Sequence, residues 1–140
     1  MSKPRFVLDT NLVISAVLLN TSHARKAFDV AILTGEILLS QAVQEELSDV
    51  FMRSKFDRYV SPLYRLQFLA NLIAIATTIQ VTKPIQACRD PKDDKFLSLA
   101  VSGHAVCIIS GDKDLLVLHP FQGIAILAPG DFLAQYGSPN

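Results

Sequence analysis

The chain has 140 residues, half of them hydrophobic, and its 13 basic and 13 acidic side chains cancel to a formal net charge of zero. This length and composition fit one well-cored domain over residues 1–140 and exclude a disordered or low-complexity chain. The zero balance neither favours nor excludes a nucleic-acid partner, so the local distribution of charge carries the information.

Cys88 and Cys107 stand far apart without a C-x-x-C or Cys/His spacing, which argues against zinc and for buried free thiols in a reducing compartment. The apolar stretch near the N-terminus is broken by Asp9 and Asn11, so it makes neither a signal peptide nor a membrane span. A cytoplasmic protein with no membrane partner is expected.

Taken in order, Phe6-Val7-Leu8 reads as a strand that stops at an acid, Asp9. Leu12 to Leu19 reads as a buried helix, and His23 to Leu33 as a second one, capped by Thr21 or Ser22 and stopped by Gly35. Glu36 to Leu39 is a short strand; Ser40 caps a helix from Gln41 to about Met52. Arg53 to Ser61 is expected to be a loop, and Pro62 opens a long apolar helix to about Ala76. The β-branched run Thr77 to Val81 predicts a strand. Asp90-Pro91 starts a helix that reaches Val101 or Ser102 and ends at Gly103. Ala105 to Ile109 is a strongly apolar strand, again followed by a turn and an acid, Ser110-Gly111-Asp112. A short helix Lys113 to Val117, a strand Gly123 to Leu127 and a helix Asp131 to Tyr136 complete the chain. Strands alternating with helices predict an α/β fold, a mostly parallel sheet with helices on both faces.

An acid at the carboxyl end of a strand can be a plain helix cap or part of a ligand site, because open α/β sheets bind ligands at that edge. Helical phase discriminates among the other acids, since residues advance about 100° around a helix. Val43, Leu47, Val50 and Phe51 form the apolar face of the third helix; Glu46 flanks it and Glu45 points away. In the later helix Asp93 falls in the arc of Phe96, Leu97 and Ala100, and Asp94 lies off it. The competing reading makes Asp90 an N-cap and Asp93 its capping-box partner. Asp112 repeats the arrangement of Asp9, and Asp114 is either a second contributor or a solvated turn residue. If the two acid-terminated strands are neighbours, Asp9 and Asp112 converge. Glu46 and Asp93 would then make a four-carboxylate cluster, which like-charge repulsion permits mainly with a divalent cation present. Oxygen-only ligands select Mg²⁺ or Mn²⁺.

The segments Val7-Leu8-Asp9-Thr10-Asn11, Glu45-Glu46-Leu47, Asp90-Pro91-Lys92-Asp93-Asp94-Lys95-Phe96-Leu97 and Ser110-Gly111-Asp112-Lys113-Asp114-Leu115-Leu116 together resemble the PIN-domain nuclease family. The narrower resemblance is to the PIN-type, VapC-like toxin components of prokaryotic toxin-antitoxin systems. It implies a three-layer α/β/α PIN-like fold and an acidic quartet Asp9, Glu46, Asp93 and Asp112, supported by Asn11 and Ser110. It also implies Mg²⁺- or Mn²⁺-dependent hydrolysis of RNA phosphodiester bonds, a cognate antitoxin and a homodimer or higher homo-oligomer. Asp94 departs from the subgroup, which often carries Asn there, so the extra carboxylate either adds to the metal site or is solvated.

Arg53, Lys55, Arg58, Lys92, Lys95 and Lys113 are candidates for contacts to RNA phosphates, which position a substrate without reading its sequence. Tyr59 and Tyr64 are candidates for base stacking, with ordinary packing as the competing reading. His23, His104 and His119 sit at element margins and are not needed. A haloacid-dehalogenase-like phosphatase would need an acid where Asn11 stands, and a receiver domain is matched only in fragments. A housekeeping PIN nuclease in RNA processing, or a PIN-fold binding module with weak or no catalysis, remain the alternatives to a toxin.

Overall fold

The computed structural model describes residues 3–137. Its elements run β1 (Arg5–Leu8), α1 (Thr10–Leu18), α2 (His23–Thr34), β2 (Glu36–Leu39), α3 (Gln41–Phe51), α4 (Pro62–Ile75), β3 (Thr77–Thr78), α5 (Asp94–Ser102), β4 (Cys107–Ile109), α6 (Lys113–Leu116), β5 (Ala125–Leu127) and α7 (Pro129–Tyr136). Two single-turn 3-10 helices, Ser54–Phe56 and Pro91–Asp93, precede α4 and α5.

The five strands form one sheet in the order β3-β2-β1-β4-β5, with every pairing parallel. Parallel strands need crossover helices, and those helices cover both faces; accordingly β1, β2 and β4 are buried along almost their whole length. The result is a three-layer α/β/α arrangement. Phe6 of β1 packs edge-on against Phe132 and Tyr136 of α7, with ring centroids 5.2 Å apart in both pairs. Gly35 makes the strand approach possible, because a Cβ there would lie 2.5 Å from the Phe6 ring.

The chain leaves β1 toward β2 and β3 on one side and later returns to place β4 and β5 on the other. Strand order therefore reverses between β1 and β4, where a crevice opens at the carboxyl ends of the strands. The β1–β4 register pairs Leu8 with Ile109. Asp9 and Ser110, the next residues on each strand, are thus brought side by side.

Several element ends differ from the sequence expectation for local reasons. Helix α1 starts at Thr10, two residues early, because the Asp9 carboxylate caps it by accepting the Leu12 amide at 2.8 Å. Strand β3 stops at Thr78; the Ile79 amide still bonds Leu39, but the chain then leaves the sheet and follows α5. Along α5, Ser102 Oγ accepts from the Thr82 and Lys83 amides, Ser98 Oγ from Ile85, and Asp94 Oδ1 from Ala87 and Cys88. Strand β5 begins at Ala125 because residues 121–124 form a turn with Gln122 at φ 49° and Gly123 at φ 80°. Arg65 is buried in α4 on the same stripe as Leu69 and Leu72. Its guanidinium donates to the carbonyls of Phe51 and Val60 and pairs with Asp57 at 2.8 Å, tying down the 53–61 loop. Among the described residues no helix is long and apolar enough to cross a membrane.

Candidate active site at the β1–β4 edge

Asp9 is buried, 3% exposed, and both its oxygens are engaged. Oδ1 accepts the Leu12 amide and Oδ2 accepts the Ser110 hydroxyl, so one side chain caps α1 and faces the crevice at once. Its pKa is pushed up to about 6, chiefly by burial, against the two hydrogen bonds and with added repulsion from Asp112 and Glu46. Ser110, itself fully buried, also accepts the Asp112 amide at 2.9 Å, so one hydroxyl links the acids of the two strands.

Asp112 caps α6, accepting the Asp114 amide at 2.9 Å, and is half-buried. Oxygens of Asp93, Asp112 and Asp114 lie within 4.8 Å of one another. The Asp93 carboxyl is pushed up to about 7 by burial first, then by its hydrogen bond to Asp112 and the charges of Asp112, Asp90 and Glu46. Asp93 lies in the 3-10 turn before α5, and its side chain caps nothing; the capping role falls to Asp90, which accepts the Lys92 amide at 3.0 Å. Asp94 turns the other way, and the Cys88 and Ala87 amides hold its carboxyl below the usual range.

Glu46 of α3 is half-buried and reaches the site, whereas Glu45 is exposed and accepts from Gln41 at 3.0 Å. One Glu46 oxygen accepts the Thr10 hydroxyl and the other pairs with Lys95 Nζ at 2.6 Å. Sequence reasoning did not single out Thr10. Its signal was present, a hydroxyl at the first turn of α1 beside the strand-end acid, but its partner lies 36 residues away.

An open groove of about 540 Å³ runs beside the acids, lined by Asn11, Ser15, Gly111, Asp112, Lys113 and Asp114 among others. Asn11, Lys92 and Lys113 are exposed around it or nearby in sequence. Lys95 does not join them, being turned onto Glu46. Arg53, Lys55 and Arg58 are exposed on the 53–61 loop; Arg53 pairs with Asp49, Lys55 lies over Phe56, and Arg58 lies 5.3 Å over the Tyr59 ring. His23, His104 and His119 are exposed, and His119 Nδ1 accepts the Ile126 amide. Cys107 is buried and Cys88 half-buried, both thiols pushed up to about 12 mainly by burial.

The donors gathered at this edge are all oxygens, and two of the carboxyls are driven toward the protonated form by crowding and burial. A hard divalent cation relieves both, and the donor chemistry fits Mg²⁺ or Mn²⁺.

Residues 5–114 match the PIN domain. The uncharacterized protein MJ1680 of Methanocaldococcus jannaschii is 30% identical over 119 residues, covering 83% of this chain and 76% of that protein. VapBC2 from Rickettsia felis, solved bound to a DNA fragment from the promoter, superposes with TM-score 0.62 at 12% identity over 89% of this chain and 98% of that one. PAE2754 from Pyrobaculum aerophilum superposes with TM-score 0.62 at 13% identity, covering 95% and 89% of the two chains. DNA-bound VapBC from Salmonella typhimurium gives 0.59 at 16% identity over 90% and 98%. At such identities the likeness is one of fold. The sequence match over most of the chain, on a sheet whose switch point gathers acids, means that the chain belongs to the PIN-domain family of nucleases.

Proposed function

We propose that this chain is a divalent-metal-dependent ribonuclease that hydrolyses RNA phosphodiester bonds, and that it is the toxin of a toxin-antitoxin pair. The observation that carries the reading is the convergence of Asp9, Glu46, Asp93 and Asp112, with Asp114, at the switch point of the sheet. The fold shared with the VapBC structures supports the toxin context. A cognate antitoxin, a homodimeric assembly and a cytoplasmic setting belong to the same proposal.

Asp93, Asp112 and Asp114 would hold Mg²⁺ or Mn²⁺, with Asp9 alongside. When bound, the cation supplies an acidified water near neutral pH and offsets charge building on the phosphate. Ser110 and the Leu12 amide fix the Asp9 carboxylate, so its charge stands in place at the site without reorganising. Thr10 and Lys95 hold Glu46 in the same way. The groove beside Asn11 and Lys113 gives room for the sugar-phosphate chain. Exposed Lys92 and Lys113 are available to its phosphates. Arg53, Lys55, Arg58 and Tyr59 are exposed too, but Tyr59 lies with Val17, Leu18 and Asn20 at the other end of α1, so that loop could meet only a more distant part of the RNA.

Purified protein with Mn²⁺, given single-stranded RNA and DNA of one sequence, should cleave the RNA. Asp9→Asn should slow cleavage by about 100-fold or more, the scale of losing a positioned catalytic group. Undiminished activity in that variant sinks the site assignment, and cleavage confined to DNA sinks the substrate.

A further inference from the structure

Three consecutive residues, Asp93, Asp94 and Lys95, leave the start of α5 in three directions. Asp93 goes to Asp112, Asp94 to the amides of residues 87 and 88, and Lys95 across to Glu46 of α3. Among the described residues, Lys95 is the one basic side chain ion-paired with an acid of the site; the remaining pairs, such as Arg5–Glu36 and Arg65–Asp57, lie elsewhere.

The Lys95–Glu46 pair is not a loose surface contact. The Nζ–Oε1 distance is 2.6 Å, and the two side chains are 23% and 24% exposed. The second Glu46 oxygen takes the Thr10 hydroxyl, so helices α1, α3 and α5 are joined at one carboxylate. Removing one partner from a largely buried pair costs far more than breaking an exposed one, which keeps the ammonium in place. The other acids divide accordingly. Glu46 has a unit positive charge supplied by the fold, whereas Asp93, Asp112 and Asp114 face one another with oxygens within 4.8 Å and no basic partner among the described residues.

We propose that the Lys95 ammonium is a built-in cation of the site, standing at Glu46 where a second divalent ion would otherwise bind. The site then takes a single metal ion, at the Asp93, Asp112 and Asp114 side, and Glu46 serves as the anchor of Lys95 and not as a metal ligand. This rests on the metal-dependent reading above. It makes Lys95 a positioning and charge-balancing residue, and it withdraws Lys95 from the set of free phosphate contacts. Part of the positive charge that balances the crowded carboxylates is then independent of the metal concentration.

Counting bound Mn²⁺ tests this without any turnover, by following the six-line electron paramagnetic resonance signal of the free ion as full-length protein is titrated. Wild type and Lys95→Arg should each bind one ion. Lys95→Met, which leaves Glu46 uncompensated beside Asp9 and Asp93, should bind two. The double variant Lys95→Met/Glu46→Gln, with the ion pair replaced by a neutral one, should return to one ion, bound within about threefold of the wild-type affinity. Two ions in wild type overturn the proposal, as does one ion in a natively folded Lys95→Met. If Lys95→Met does not fold, the double variant still decides, because a loss of affinity beyond about tenfold would make Glu46 a ligand. No Mn²⁺ bound by wild type at all would instead overturn the metal reading itself.

Discussion

The two strands at the centre of the sheet end in the same way on paper, an apolar run followed by an acid that caps a helix, yet the two acids live in different surroundings. Asp9 follows β1 directly, is buried, and has its carboxyl pushed up to about 6 mostly by that burial. Asp112 follows β4 after Ser110 and Gly111, and those two extra residues carry it out to the half-exposed rim with Asp93 and Asp114. The inserted Ser110 takes the place beside Asp9 and bonds both acids. One motif thus yields an inner acid fixed by the fold and an outer acid open to solvent and ligand. The difference shows that the depth of the acid, set by the residues between strand and cap, decides how much charge the fold must tolerate.

Replacing each acid in turn should separate them most sharply. The folded-state value of Asp9 lies above its usual 3.8, so the metal-free fold holds the proton more tightly than the unfolded chain. Its stabilising contribution is complete below pH 4 and is lost as pH rises through about 6, and Asp93 acts in the same sense up to about 7. Asp9→Asn should therefore stabilise the metal-free protein at pH 8 by about 3 kcal/mol and hardly at all at pH 4, at 1.36 kcal/mol per unit shift. Urea denaturation at both pH values in EDTA reads this, with Asp112→Asn at the rim as the comparison. Equal gains would erase the distinction between an inner and an outer acid.

Ser110→Ala tests the link between them. It removes the hydroxyl that lowers the Asp9 pKa and the acceptor of the Asp112 amide. A loss of about 1–3 kcal/mol is expected, the cost of stranding buried polar groups. The pH window of Asp9 should also move upward, and an unchanged window would mean the hydroxyl does not couple the strands.

Asp94 provides the contrast of a carboxylate held away from the other acids, by the Ala87 and Cys88 amides and the Cys88 thiol. Asp94→Asn keeps a carbonyl oxygen for the Ala87 and Cys88 amides and should fall within about 0.5 kcal/mol of wild type, whereas Asp94→Ala should lose about 1 kcal/mol. If Asn weakens Mn²⁺ binding as strongly as a change at Asp93 does, Asp94 belongs to the metal site after all.

Much of this arrangement was legible in the residues. Apolar runs halted by Asp9 and Asp112 reported β1, β4 and their carboxyl ends, and the 100° phase separated the outward Glu45 from the inward Glu46. Asp93 and Asp94 do point apart, but helix phase is not the cause. Asp93 precedes α5 in a 3-10 turn, so its direction comes from the turn and not from the helix face. What periodicity could not reach were bonds between elements distant in sequence. Thr10 with Glu46 and Lys95 with Glu46 depend on where three helices meet, and no local pattern encodes that. The early end of β3 was hidden likewise, since the β-branched run continues to Val81 while Ser98 and Ser102 of α5 capture the following amides.

That capture makes α5 a ruler. Its residues 94, 98 and 102 repeat every four positions on one side of the helix, about 6 Å apart at 1.5 Å per residue, and the strand-like segment 82–88 runs alongside in the opposite direction. Each grip fixes how many residues separate it from the next. A residue added or removed between Thr82 and Cys88 would put every later amide out of step, and the slack would emerge at Asp90 to Asp93. The connection therefore behaves as a segment of set length that delivers an acid to its place, unlike an ordinary surface loop, whose length can drift.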